Sequence, residues 1–454
     1  MVGIMLAGAL NSLALLLCMP PRVHFAISHI LPMTNNTSVQ STNWRTDTPF
    51  EGLFVRLPGR IVVSYNASLD AAATVSVVSD SAALLQLVSL DVDTTPASNK
   101  FHRPECDGSP DLGFPNATYL AIRAKSDVNV LASGTLVVHI TLGQPIAWVD
   151  THAEAILTNG TLVNGADRRV VIASVASGNV YIDAAYPVHL QSLALSAIGS
   201  GTVQFATPSL TTDLSLSLAS DRPGSVVAVQ ADIVSALYLQ TSAASGGAVF
   251  LKGTDGIRAS NVHVDIARGG NVNMYPQGTC DSTWINIADA GHANTGSLVC
   301  QSAMVSTFGG GDVIVQALDS LTTTIAGSGS VQYFNATPAH LPKFDEGFSF
   351  FRPKLPTHTT NNSFDTYTFL PIPDDGPMQV LVELNQSQHS RCMHYRGQQA
   401  TLGTTLQPAA IMLNSTMNTK MDILGIIALV CVALVATVVF KKAKKRTGYV
   451  ALPK

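Results

Sequence analysis

The sequence predicts an all-β chain: a parallel β-helix, or β-solenoid, with coils of about 23 residues, followed by one C-terminal transmembrane helix. Three observations predict it. A glycine-valine motif recurs at a fixed step, apolar side chains alternate with period two before each recurrence, and an uncharged apolar run ends on a cluster of lysines. Composition agrees. Only 12% of the 454 residues are charged and 6% are aromatic. Small and β-branched residues fill the difference, and they favour extended structure over charged helical bundles.

The motif is Gly-x-Val followed by an alternating pair. It reads GNVYI at Gly178, GTVQF at Gly201, GSVVAV at Gly224, GAVFL at Gly247 and GNVNM at Gly270, each step being 23 residues. The phase slips through GSL at Gly296 and GDVIV at Gly311 and closes on GSVQYF at Gly329. Weaker echoes stand at Gly134 and Gly160. A second strand precedes the glycines, as in residues 193–198, 214–218, 237–241, 262–266 and 321–325. Alternation assigns Leu214, Leu216 and Leu218 to one face, and Val262, Val264 and Ile266 likewise. Glycine is expected at the corners to supply a positive φ. A single coil cannot bury its apolar face, but a stack of coils can. A β-sandwich also has short alternating strands, but it has no reason to keep one period through five units.

The stretch LTTTIAGSGSVQYFNATP, residues 321–338, carries a more specific likeness. It resembles the closing rung of the auto-transporter adhesin head family known as the GIN domain, whose pattern is Leu-x-x-x-Ile-x-Gly-Ser-Gly-x-Val-x-Tyr followed by Pro. The SGN, GSG and GGG corners fit as well, and the likeness covers about residues 165–340. The resemblance implies a parallel β-helix-like, adhesin-like ectodomain.

The termini describe placement. Residues 1–28 read as a signal peptide, with an uncharged run from Val2 to Met19 that stops at Pro20-Pro21. Cleavage after Ala26 or Ser28 and an uncleaved anchor are the open alternatives. Ile423–Phe440 is an apolar run of 18 residues, about 27 Å long as a helix and close to a bilayer's hydrocarbon thickness. Residues 422–440 are therefore the expected transmembrane helix, and the basic tail 441–454 is expected to be cytoplasmic. Such a type I chain would reside in the plasma membrane or an endolysosomal membrane with its N-terminus outside or lumenal. Between the ends, 29–160 reads as a β-rich region or cap, 161–340 as the solenoid, and 341–420 as a capping segment and stalk. The strand-like run Met378–Leu384 lies within that last region. The tail holds six of the 26 basic residues and no acid, leaving 20 basic against 30 acidic residues elsewhere, a net of −10. That sign argues against a nucleic-acid partner.

Secretion predicts two further marks. N-glycosylation acceptors occur at Asn35, Asn36, Asn66, Asn116, Asn159, Asn335, Asn361, Asn385 and Asn414, and residues 160–334 contain none. Outside the end segments there are four cysteines, Cys106, Cys280, Cys300 and Cys392. An even number in an oxidising compartment predicts two disulfides. The preferred pairing is Cys280–Cys300, whose separation is close to one coil, with Cys106–Cys392 as the other. Metal binding is the rival, with His102, His389 and His394 near Cys106 or Cys392.

No catalytic centre is legible, and no cofactor is expected. Residues 190–340 contain no glutamate. Stacking would bring Asp232 near Asp255 and Asp289 near Asp312, each pair 23 residues apart. These read as a calcium or sugar site, or as solvated corner residues. His263, between Val262 and Val264, is expected to face outward. In the tail, GYVAL places Tyr449 three residues before Leu452, which resembles a sorting signal read by an adaptor. The leading reading is a non-enzymatic surface protein that binds a glycan or a protein. The alternatives are a carbohydrate-active β-helix enzyme and an endolysosomal receptor or cargo protein.

Overall fold

The structure is a computed structural model that describes residues 39–93, 117–125, 130–342 and 354–384. The expected signal peptide, transmembrane helix and tail, with Tyr449 and Leu452, lie outside the described residues. So do Cys106, Cys392, His102, His389, His394 and the acceptors Asn35, Asn36, Asn116, Asn385 and Asn414. Among the described residues, no helix is long and apolar enough to cross a membrane.

The fold is a β-solenoid with coils about 23 residues apart. Each coil contributes three runs. The first is illustrated by Val180–Asp183 and Thr202–Ala206. The second and third share one strand that bends at a break in register, as between Leu190 and Ser192 in Val188–Ala197. From Val226–Ala244 onward, a single strand carries all three runs of a coil. All neighbouring coils in this block pair in parallel.

Alternation decides what is buried. On the first run, Val180, Val203, Val227, Val249, Val272, Ala293, Val313 and Val331 form one inward ladder. None is more than 2% exposed. Burial of one such valine contributes roughly 1.5–3 kcal/mol, and none of it is available to an isolated coil. The steps along this ladder are 23, 24, 22 and 23 residues, then 21, 20 and 18. The late slip in the sequence period is thus a real shortening of the coils. In the third unit the motif is displaced by one residue. Val227 points inward and Val226 does not, because Arg222–Ser225 closes a turn through the Ser225 N–H to Arg222 C=O bond of 3.0 Å.

Two sequence expectations are corrected. Leu214 does not share the inward face of Leu216 and Leu218. The register breaks between Thr212 and Ser215, so Asp213 and Leu214 both turn outward and Leu214 is 40% exposed. The corner glycines also serve a different purpose from the expected one. Of the seven, only Gly224 has a positive φ, +79°. Gly178, Gly201, Gly247, Gly270, Gly311 and Gly329 are needed because the coil beneath comes too close. A Cβ at Gly201 would lie 2.2 Å from the Gly178 carbonyl oxygen, and one at Gly329 would lie 2.1 Å from that of Gly311.

The parallel stack begins before residue 161. Strand Gly52–Arg56 lies between Tyr119–Ala124 and Trp148–Thr151, and Arg60–Tyr65 lies between Val130–Leu142 and Glu154–Leu157. The coil formed by Tyr119–Ala124 and Val130–Leu142 is therefore outermost. Antiparallel strands cover its edge. Val88–Asp93 pairs with Tyr119–Ala124, and Ala73–Ser79 with Val130–Leu142. Gln40–Thr46 then adds to Ala73–Ser79. The short helix Ala82–Leu87 buries Leu84 and Leu87 beside them. These antiparallel strands deny a parallel edge to other chains.

Two ion pairs bind these early coils together. Arg56 Nη1 and Nη2 donate to Asp150 Oδ1 and Oδ2 at 2.7 and 2.8 Å, with the guanidinium 4.0 Å from the Phe54 ring centre. Arg60 Nε donates to Glu154 Oε1 at 2.7 Å. Both pairs are largely withdrawn from solvent.

The segment expected to cap the stack and then form a stalk behaves differently over residues 354–384. Thr357–Thr359 pairs in parallel with the last rung, Ser330–Phe334. The chain then runs back across the first-run side of the solenoid as a strap. Asn362 Nδ2 donates to Ser297 Oγ at 3.0 Å, and Asn294 Nδ2 to the Ser363 carbonyl at 2.7 Å. The Asp365 N–H donates to Asn273 Oδ1 at 2.9 Å. Phe364 stacks on Tyr275 at 5.0 Å, and Tyr367 on Phe250 at 5.6 Å. The Leu370 N–H donates to Gln204 Oε1 at 3.1 Å, and Gln204 Nε2 returns a bond to the Leu370 carbonyl at 2.8 Å. At the far end, Arg60 Nη1 donates to the Asp374 carbonyl and, at 2.9 Å, to that of Gly376. The expected strand Met378–Leu384 then pairs antiparallel with Val130–Leu142. The strap links the last coil to the first.

Burial, with a smaller contribution from Tyr181, pushes the Tyr367 phenol up to about 12. Burial also raises Tyr275. A detached tyrosine ionises near ~10. The sign follows: the contribution of Tyr367 to holding the strap is fully present below pH ~10 and is lost as pH rises through about 12. Tyrosinate absorbance should show a late-titrating class that loses one member in Tyr367→Phe. Titration of every tyrosine near ~10 would contradict the packing.

Candidate binding face

The third run of each coil builds a flat side that the strap does not cross. Its inward residues, such as Leu193, Leu216, Leu239 and Val262, are buried. Its outward residues form three rows set by the register. Ser192, Ser215, Tyr238, Asn261, Ser282, Ser302 and Ser320 occupy one row. The next holds Ala194, Ser217, Gln240, His263, Trp284, Met304 and Thr322. The third holds Ser196, Ala219, Ser242, Asp265, Asn286, Ser306 and Thr324. Over the seven positions named, these rows contain no lysine or arginine, and Asp265 is their one carboxylate; Arg169, exposed, continues the first row one coil before Ser192.

A shallow, open depression of about 630 Å³ lies over the middle of this side. Trp284 is 53% exposed within it, Met304 50% and Tyr238 42%. His263 faces outward as expected. Its Nε2 lies 2.7 Å from Asp265 Oδ2, and its ring meets Trp284 edge-on with centres 5.0 Å apart. The histidine thus props the indole while it shares the Asp265 carboxylate. Ser282 Oγ donates to Asn261 Oδ1 at 2.9 Å, and Asn286 Nδ2 to Asp265 Oδ1 at 3.4 Å. The face offers an aromatic platform among hydroxyl and amide groups that both donate and accept. Sequence reasoning assigned no role to Trp284. The available signal was its phase, since Thr283 and Ile285 alternate inward on either side of it.

The other expected site residues fall elsewhere. Cys280 and Cys300 are register partners on adjacent coils, and a disulfide joins them with Cα atoms 4.4 Å apart. Both lie in the core, so the bond staples one coil to the next from within. Asp232 and Asp255 are exposed at the turn between the first two runs, where Asp232 Oδ1 accepts from Thr254 Oγ1 at 2.8 Å. Asp289 and Asp312 are not stacked. The coil between them is shortened, so Asp289 pairs with Gly309 and Asp312 with His292 and Ser330. Among the described residues, no group of three or more His, Cys, Asp and Glu side chains is arranged to hold a metal ion. The described acceptors Asn66, Asn159, Asn335 and Asn361 are all exposed. The first three follow first-run strands and Asn361 lies on the strap, so none is on the Trp284 side.

Residues 194–337 match the family model described as "Putative auto-transporter adhesin, head GIN domain". Among solved structures, the chain is similar to a protein described as a putative lipid binding protein from Parabacteroides distasonis ATCC 8503. The identity is 18%, over 66% of this chain and 97% of that one, with a TM-score of 0.34. It is also similar to a putative adhesin from Parabacteroides merdae ATCC 43184, at 13% identity over 66% of this chain and 97% of that one, with a TM-score of 0.35. A putative adhesin from Parabacteroides distasonis ATCC 8503 matches at 13% identity over 71% of this chain and 97% of that one, with a TM-score of 0.30. No curated protein matches the chain.

Proposed function

We propose that this chain is a non-enzymatic, adhesin-like surface protein of type I topology. In this reading its glycosylated solenoid is held outside the membrane and binds a glycan or protein on a facing surface. The observation that carries the reading is the asymmetry of the solenoid. The strap covers the first-run side, while the third-run side presents Trp284, Met304 and Tyr238 to solvent. Monomeric proteins rarely leave such groups clustered and exposed without an interaction to serve. The acceptors at Asn66, Asn159, Asn335 and Asn361 support the same orientation, since glycans there would leave the Trp284 side unmasked. Stacked coils repeat their contacts along one axis, which suits multivalent attachment. The apolar run at Ile423–Phe440 and the basic residues after it support membrane anchorage.

The test is adhesion by cells that display the full-length chain. They should attach to untransfected cells or to a glycan-coated surface in proportion to display. Equal attachment by displaying and non-displaying cells would defeat the proposal.

A further inference from the structure

We propose that the Trp284 depression is a binding site for an uncharged oligosaccharide chain laid along the solenoid axis. The inference rests on the adhesive reading above and names the ligand class of that face. Four features carry it. The indole of Trp284 is half exposed and held edge-on by His263, so it presents a fixed ring to solvent. A pyranose has an apolar C–H face that such a ring can cover. The flanking rows are hydroxyls and amides, which match sugar hydroxyls because both partners donate and accept.

Charge narrows the class. The depression is lined by no lysine or arginine, the nearest in the rows being Arg169, five coils from Trp284, and Asp265 already engages His263 and Asn286. A sialylated or sulfated ligand in the depression would find no lysine or arginine to pair with. Periodicity narrows it again. Serine recurs at one register position through Ser192, Ser215, Ser282, Ser302 and Ser320. Successive positions on paired coils are ~4.8 Å apart, close to the length of one pyranose unit in an extended chain. A repeating polar ladder around one aromatic suits a polymer of repeating hydroxylated units. A protein contact would instead favour several large apolar anchors and arginine.

The experiment uses the full-length chain purified in mild detergent, with an array of neutral oligosaccharides and of sialylated and sulfated ones. The expected result is saturable binding to neutral chains. Trp284→Ala should weaken it by roughly tenfold or more, and Trp284→Phe by less. Trp284→Ala should leave the melting temperature nearly unchanged, which separates loss of the platform from loss of the fold. Selective binding to charged glycans would overturn the proposal, as would undiminished binding by Trp284→Ala. Array silence with adhesion that still depends on Trp284 would also overturn it. That outcome would mark a protein partner and leave the adhesive reading standing. Absence of adhesion in the cell assay would remove both.

Discussion

Asp150→Ala should destabilise the early coils by about 3–5 kcal/mol, the cost of leaving a buried cation without its counter-ion. Arg56 and Asp150 sit on strands paired in parallel, and their side chains are only 11% and 4% exposed. The bidentate geometry at 2.7 and 2.8 Å recovers part of the energy lost in removing both charges from water. Once the carboxylate is gone, the Phe54 ring at 4.0 Å is too weak a substitute. Replacing both residues with apolar ones of similar volume should cost far less than the single change. Thermal melting by circular dichroism checks this. A double mutant no more stable than Asp150→Ala would show that the pair acts through something other than charge. Because a solenoid's stability is local, the loss should appear first as fraying of the strands Gly52–Arg56, Tyr119–Ala124 and Trp148–Thr151.

Two adjacent glycines should respond very differently to one added methyl group. Gly270→Ala should cost about 3 kcal/mol or more, whereas Gly269→Ala should cost roughly 1–2 kcal/mol. At Gly270 the new Cβ would stand 2.2 Å from the Ala243 carbonyl oxygen and 2.5 Å from its carbon, so the backbone of the neighbouring coil must move. At Gly269 nothing lies within 4 Å, and only the φ of +83° opposes a side chain. Denaturant midpoints of the two variants give the comparison. Equal costs would mean that turn conformation, rather than the close approach of coils, fixes the corners.

These two cases also mark what is legible in the sequence. The coil period, the inward valines and Cys280–Cys300 can all be read, because each is a regular or near-neighbour relation between stacked units. The reason for the glycines cannot. A positive φ and a backbone approach both select glycine, and only the folded stack separates Gly224 from Gly270. Leu214 misleads because a local register break at Thr212 overrides perfect alternation. The strap is hidden for a different reason. Tyr367 reaches Gln204 across 163 residues through its hydroxyl, at 3.2 Å, and no periodicity encodes such a contact. Trp284 was concealed by regularity itself, since it occupies one more outward position in an ordinary strand.

In the proposed reading the Trp284 side, and not the strap side, meets the partner. A sugar wedge tests it most directly. Gln240→Asn creates an acceptor at an exposed position of the middle row, because Thr241 and Ser242 follow. On cells displaying the full-length chain, a glycan confirmed there by mass should abolish adhesion, while Asn361→Gln, which strips the strap acceptor, should leave it intact. Full adhesion by the wedged chain, with its glycan in place, would contradict the account.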